Sequence, residues 1–390
     1  MKNKIPLLFQ FLLICALVYL KLRADSAYFL TPDSHYYLQA AQNLLNGKGY
    51  VITLEGKETF CAIWPMGYSG LIAFVSWLTA FSVETASKIV NLLALAGCFW
   101  LILRRFQDKA WFVALGLMAS SLVQLYTNTW SETVFLFFVL GFTFSPLPKW
   151  VGPAAAYRVD GGAGDGPPRG GVLWAIGAFL ARYAGVFLLI PLLIQRRFRA
   201  AVYYLVFISG YLLFNFYQTR TFTGGHGFWP DEPFGERLLR GVRGLGEEFL
   251  FFAVRDWDLK SLALNDFTKW FIYGVAIGQF LIAGVIVWRI GQFLKDKGLD
   301  SSARRTDGMT NALTEQPLFL IAISYLFFTF AIYMTDASLE SLYFRRLAPA
   351  SLLFTLGILG WVSEQKQLFE RTQWLFVAFF VLSMIHALPK

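Results

Sequence analysis

The chain is predicted to be an all-α polytopic membrane protein with ten to twelve transmembrane helices, and three observations carry that prediction. Of its 390 residues, 56% are hydrophobic and 18% aromatic but only 15% charged, with a mean hydropathy of +0.52, well outside the range of soluble domains. The apolar residues gather in long runs, each near the ~20 residues that cross roughly 30 Å of hydrocarbon. These runs are too long and continuous for barrel strands, and backbone groups in lipid must be satisfied within the segment, so the runs are helices.

In chain order the runs fall near 5–22, 64–81, 86–103, 110–127, 131–147, 172–194, 200–217, 268–290, 317–335, 347–362 and 373–388. The first follows Lys2 and Lys4, as a secretory signal would, but it continues to Leu22, is followed by Arg23, and shows no small-residue cleavage site; it reads as an uncleaved anchor with its amino end inside. The whole chain, 1–390, reads as a single transmembrane domain without a separate soluble domain. Its principal connections are a first external loop at 23–63, a Gly/Pro-rich loop at 148–171 and an external loop at 218–266.

The net charge of +9 is explained by the membrane rather than by nucleic acid, because Lys and Arg concentrate in cytoplasmic loops and meet anionic lipid there. The clusters are Arg104-Arg105 with Lys109, Arg196-Arg197 with Arg199, and Lys295, Lys297, Arg304 and Arg305. Beyond residue 218 the loops alternate: 218–266 outside, 291–316 inside, 336–346 outside, 363–372 inside. Between 80 and 195 the charge rule and strict alternation disagree. They are reconciled if residues 66–103 return to the side they came from and the run at 172–194 is broken near Arg182-Tyr183, as helices are where they line a polar cavity.

Cysteine and histidine are sparse. Cys15 and Cys98 lie in apolar runs and Cys61 in the first external loop, while histidine is confined to His35, His226 and His386. A disulfide framework, a thiolate metal site and a His-rich metal site are therefore excluded.

The first external loop holds the most informative sequence. In Thr31-Pro32-Asp33-Ser34-His35-Tyr36-Tyr37, Pro32 disfavours helix before it and Asp33 or Ser34 can cap the helix that follows. Tyr36 or Tyr37, Ala40 or Ala41, and Leu44 or Leu45 then recur at helical spacing, predicting an amphipathic helix in the membrane interface. Gly47 suits the left-handed residue that ends it, and Gly49-Tyr50 begins an extended stretch toward Trp64-Pro65, where the next span starts. An isolated Asp in this setting is a helix cap; here it is also a carboxylate held at a membrane surface.

Asp33, Ser34, His35, Tyr36, Tyr37, the following Ala and Asn43-Leu44, Gly47, Gly49 and Tyr50, with Trp64-Pro65-Met66-Gly67-Tyr68 at the next span, resemble the GT-C superfamily of membrane glycosyltransferases. That superfamily includes protein O-mannosyltransferases and the lipid A aminoarabinose and galacturonic acid transferases. Asn128-Thr129-Trp130-Ser131-Glu132 looks like its second acidic position, Ala181-Arg182-Tyr183-Ala184-Gly185 like its basic residue before a glycine, and Arg345-Arg346-Leu347-Ala348-Pro349 like its Arg-Tyr-x-x-Pro motif. The resemblance implies a GT-C-like fold and an enzyme that takes a sugar from a polyprenyl-phosphate donor. The acceptor would be a lipid, glycan or protein, at the outer face of the cytoplasmic membrane. It further implies that Asp33 is a catalytic base or, with Glu132, a ligand of a divalent metal; no other cofactor is expected. The chain departs from the family in ending at Lys390 just after its last span and in carrying Ser34 where a second acid is frequent.

The chemistry of glycosyl transfer asks for residues of these kinds: a base for the acceptor proton, cations for the departing phosphate and an apolar groove for lipid. Arg182, Arg345 and Arg346 are the candidate cations, and Arg182 stands inside an apolar run, where an ionisable group is expensive and points to function. Each arginine is also open to a snorkelling role, and Glu132 to a structural ion pair. His35, Tyr36 and Tyr183 are further candidates for substrate contact. Arg237, Arg240 and Arg243, three apart, fall on one helical face that can meet an anionic group or simply balance Glu236, Glu247 and Glu248. A transporter or flippase of lipid-linked saccharides would share the spans and buried arginines but predicts an inverted repeat, which is not seen. A non-catalytic partner in envelope assembly would differ only in lacking turnover.

Overall fold

The computed structural model describes residues 4–24, 31–54, 56–145, 169–224, 233–249, 266–296, 317–335 and 344–388. His226, Trp229-Pro230, Asp231-Glu232, Trp257 and nearly all of the Gly/Pro-rich loop lie outside them.

Among these residues seven helices are long and apolar enough to cross a membrane, so the polytopic helical class stands. The remaining apolar runs are shorter or interrupted, which is why eleven runs do not yield eleven full-length spans. The first helix, α1 (Lys4–Ala24), turns Ile5, Leu8, Phe9 and Leu12 outward, as suits lipid contact, and ends on Lys21 and Arg23.

Helix α2 (Pro32–Leu45) is the expected amphipathic helix, burying Ser34, Tyr37, Leu38 and Ala41 along one face. Its cap is Thr31 rather than Asp33 or Ser34: the Thr31 hydroxyl accepts from the Ser34 amide, and Pro32 takes the first helical position, where a missing N–H costs nothing. Asp33 is thereby released from capping. Gly47 at φ +72° closes the helix as expected.

The extended stretch after Gly49 folds into a hairpin that the sequence reading did not resolve. Strands β1 (Val51–Leu54) and β2 (Lys57–Phe60) pair antiparallel, Val51 opposite Phe60 and Leu54 opposite Lys57, with Gly56 at φ +79° in the loop. Ala40, Tyr50, Ile52 and Cys61 form a small core between hairpin and α2, joined by Tyr36.

Helix α3 (Met66–Thr79) begins after Pro65, ends on left-handed Ala80 and turns at once into α4 (Val83–Phe106), against which it packs. The next run is broken into α5 (Ala110–Val113), a 3₁₀ segment (Ala114–Met118) and α6 (Ser120–Thr127). Helix α7 (Glu132–Phe144) packs on α4 and on α8 (Arg169–Ala181). The expected break near Arg182-Tyr183 is present: Arg182 is extended (φ −151°, ψ 138°), followed by a 3₁₀ turn (Tyr183–Leu188) and α9 (Leu189–Ile194). Gly185 permits it, because a Cβ there would stand 2.5 Å from the Phe179 amide nitrogen. The chain continues as α10 (Phe198–Thr219), α11 (Phe234–Phe249), α12 (Asp266–Asp296), α13 (Pro317–Thr335), α14 (Phe344–Glu364) and α15 (Lys366–His386). One core dominated by α4, α6, α7, α8 and α14 holds them together.

Candidate active site

Four charged side chains from distant parts of the sequence meet where α2, α7, α8 and α14 begin or end. Arg345, in the first turn of α14, directs Nη1 to Asp33 Oδ2 and Nε to Glu132 Oε1, and Arg182 pairs with the same Glu132 oxygen. The order is Asp33, Arg345, Glu132, Arg182, alternating in sign. The Glu132 side chain is 0% exposed and that of Arg345 8%, whereas Asp33 is 26% exposed and forms the solvent-facing end.

Each member arrives by a distinct local device. Asp33 follows Pro32 in the first turn of α2, whose buried face fixes its direction. Glu132 starts α7 after a connection, Asn128–Ser131, that is buried despite its polarity. Burial is tolerated because its backbone is satisfied by side chains. Lys88 Nζ donates to the Thr127 carbonyl at 2.6 Å and to Thr129 Oγ1 at 2.9 Å. Asn91 donates to the Asn128 carbonyl at 2.8 Å and Ser34 to the Thr129 carbonyl at 3.2 Å. Arg182 is aimed by the break after α8, and Arg345 lies four residues before Pro349, which lacks the N–H that would bond the Arg345 carbonyl.

Aromatic rings close the site around the guanidinium. Arg345 lies over Trp130 at 4.4 Å and Trp64 at 5.9 Å from the ring centroids, favourable cation–π positions. Trp130 Nε1 donates to Thr31 Oγ1 at 2.9 Å, tying the connection to the cap of α2. Tyr37 hydrogen-bonds Ser131 at 3.0 Å and meets Trp64 and Tyr68 ring to ring; burial pushes its hydroxyl pKa up, so it stays protonated. Two buried polar atoms beside Arg345, Glu132 Oε2 and Trp64 Nε1, have no hydrogen-bond partner among the described residues. Atoms of this kind are candidates to meet a bound polar ligand.

The other sequence candidates are placed differently. Tyr183 is a strut: its hydroxyl donates to the Ala62 carbonyl at 2.8 Å and accepts from Asn215 at 2.7 Å. His35 is exposed, and Tyr36 packs toward the hairpin. Arg346 is half-buried next to Arg345, its carbonyl accepting from Tyr325 at 2.9 Å. Arg237 and Arg240 lie on α11, the first half-buried with Nη1 near the Met334 carbonyl at 3.4 Å, the second exposed. Lys88 was missed by the sequence reading, and Tyr37, Trp64 and Trp130 entered it as motif residues without a role at the site. For Lys88 the signal was there, a charge inside an apolar run.

Among the described residues no group of three His, Cys, Asp or Glu side chains is arranged to hold a metal ion. Asp33 and Glu132, the ligands the sequence suggested, are both engaged by one guanidinium. This donor set does not fit a resident divalent ion, and no step below passes through one.

No protein-family model matches the chain, and no curated protein matches it. A search of solved structures finds the crystal structure of ArnT from Cupriavidus metallidurans in the apo state, which aligns over 94% of this chain at 12% identity with a TM-score of 0.43. This chain spans 62% of the length of that one.

Proposed function

We propose that the chain is a GT-C-type glycosyltransferase that moves a sugar from a polyprenyl-phosphate donor to a lipid, glycan or protein acceptor at the outer face of the cytoplasmic membrane. The observation that carries the reading is the position of Arg345, a buried cation joined at once to a fully buried carboxylate and to a partly exposed one.

In this mechanism the donor phosphate competes with Asp33 for Arg345 Nη1. Arg345 keeps its orientation because Nε stays on Glu132, itself held by Arg182. Asp33, released and open to solvent, accepts the proton of the acceptor hydroxyl. The acceptor oxygen bonds to the anomeric carbon as the carbon–oxygen bond to phosphate breaks, and that electron pair stays on the phosphate, next to Arg345 and Arg346. A single displacement inverts the anomeric centre. Trp64 Nε1 can donate to a ligand oxygen, and the half-buried Trp64 ring offers a surface against which a sugar can lie.

The test is transfer from radiolabelled polyprenyl-phosphate sugars in membranes with and without the chain, with the anomeric configuration of the product determined. Chain-dependent transfer with inversion supports the proposal. Chain-dependent translocation of the donor without transfer would replace it with the transporter reading, and retention of configuration would overturn the single displacement.

A further inference from the structure

The polar contacts behind the Asp33 cluster form one connected circuit, and a buried lysine anchors it. Thr129 is the junction. The Ser87 hydroxyl gives its hydrogen to the Glu84 carbonyl at 2.7 Å, so the Thr129 hydroxyl, 2.9 Å away, donates to Ser87 and accepts from Lys88 Nζ at 2.9 Å. Ser87 and Lys88 both lie on α4. Lys88 also reaches the Thr127 carbonyl at 2.6 Å, so the connection ahead of Glu132 is gripped on either side of Asn128. The Thr129 carbonyl accepts from Ser34 of α2 at 3.2 Å. Ser34 in turn accepts from the Thr31 hydroxyl at 2.9 Å, and Thr31 accepts from Trp130 Nε1 at 2.9 Å, which returns the circuit to the residue after Thr129. Asp33 sits within the turn that this circuit fixes, and the Trp130 ring carries the Arg345 guanidinium.

An ammonium buried in a span is costly, and a hydrocarbon side chain would fill the same place without that cost. Asn91, donating to the Asn128 carbonyl at 2.8 Å, shows that a neutral amide can satisfy this connection. Lysine adds charge-assisted hydrogen bonds, stronger than neutral ones, at the junction on which the placement of Asp33 relative to Trp130 and Arg345 depends. On the basis of the transfer reaction proposed above, we infer that Lys88 is a positioning residue for it, acting through Thr129 to hold Asp33 where the donor phosphate can displace it from Arg345 and the acceptor proton can reach it. Without Lys88, Arg345 keeps Glu132 and Glu132 keeps Arg182, so donor binding survives while the alignment of the reacting groups does not. A misplacement of about 1 Å can cost ~10²-fold in rate.

The experiment measures transfer kinetics of the full chain with radiolabelled polyprenyl-phosphate sugars, normalised to the folded fraction, for Lys88→Met, Thr129→Val, the double variant and Thr129→Ser. Lys88→Met and Thr129→Val should each lower kcat by about tenfold or more, with donor KM changed less than about threefold. The double variant should lose no more than the worse single one, and Thr129→Ser, which keeps the hydroxyl, should stay within about threefold of the wild type. Lowered stability with wild-type kcat, a loss confined to KM, or multiplying losses in the double variant would overturn the positioning role; Thr129→Val carries the test if Lys88→Met fails to fold. Denaturant unfolding gives a second readout that needs no transfer. Lys88→Met, or Thr129→Val in its place, should be non-additive with Asp33→Asn by about threefold or more in the unfolding equilibrium constant, and strict additivity would overturn the positioning role. A wild type that transfers nothing would overturn the transfer reading instead, and the coupling would then decide whether Lys88 orders the cluster.

Discussion

Replacing Arg345 tests the arrangement most severely, because one guanidinium serves two carboxylates through separate N–H groups. Lysine retains the charge but offers a single ammonium on a flexible stem, so it can hold Asp33 or Glu132 but not both in this geometry. Removing one partner of a buried pair costs about 3–5 kcal/mol, and the full burial of Glu132 leaves little solvent screening to discount. Since Glu132 keeps Arg182 and the Asp33 pair is partly solvated, Arg345→Met is expected at the low end, about 3 kcal/mol. Arg345→Lys, losing one charged hydrogen bond, should cost about 1.5–3 kcal/mol. The loss of a preorganised donor to developing negative charge should lower kcat by about 10²–10³-fold. Denaturant unfolding in detergent gives the first quantity and single-turnover transfer the second. Arg345→Lys with wild-type kcat and stability within about 0.5 kcal/mol, the scale of an ordinary surface substitution, would refute the bridging role.

Three further outcomes follow from the same geometry. A double-mutant cycle of Glu132→Gln and Arg182→Met should give a coupling energy above about 1 kcal/mol in unfolding experiments, since the two share a buried ion pair; additive effects would remove that pair from the scheme. Tyr183→Phe should lower stability by about 1–3 kcal/mol, as the Ala62 carbonyl and the Asn215 amide both lose a buried partner, while the KM for donor changes less than twofold; a large rise in KM at unchanged stability would return Tyr183 to the substrate. Because the carboxylates are engaged by Arg345, transfer should persist in excess EDTA, and abolition with recovery on adding Mg²⁺ or Mn²⁺ would show that a metal takes the guanidinium's place.

Of the residues that meet at the candidate site, Asp33, Glu132 and Arg345 stood out in the sequence through the motifs of the family resemblance, and Arg182 also as a charge inside an apolar run, where only a strong local interaction repays desolvation. Their pairing was not legible: that one arginine, more than 200 positions from Glu132, would bridge both acids depends on tertiary approach, which no local spacing encodes. The cap of α2 was misplaced by two or three residues because Thr31, Asp33 and Ser34 are all competent caps, and only Pro32 at the first helical position selects Thr31. The hairpin was read as merely extended, although β-branched Val51, Ile52 and Thr53 and the following Gly56 carried a signal. The break at Arg182 was found from charge alone, whereas the interruption between α5 and α6 carries no charge and left no trace in the hydropathy.

The most direct measurement is polyprenyl-phosphate-dependent sugar transfer by the wild type and by Asp33→Asn at matched expression, with donor binding measured in parallel. Loss of transfer, with folding and donor binding retained, is the predicted result, because an amide keeps the shape and place of Asp33 but cannot accept the acceptor's proton. Unchanged transfer by Asp33→Asn would contradict the mechanism and leave Asp33 as one more ion-pair partner of Arg345.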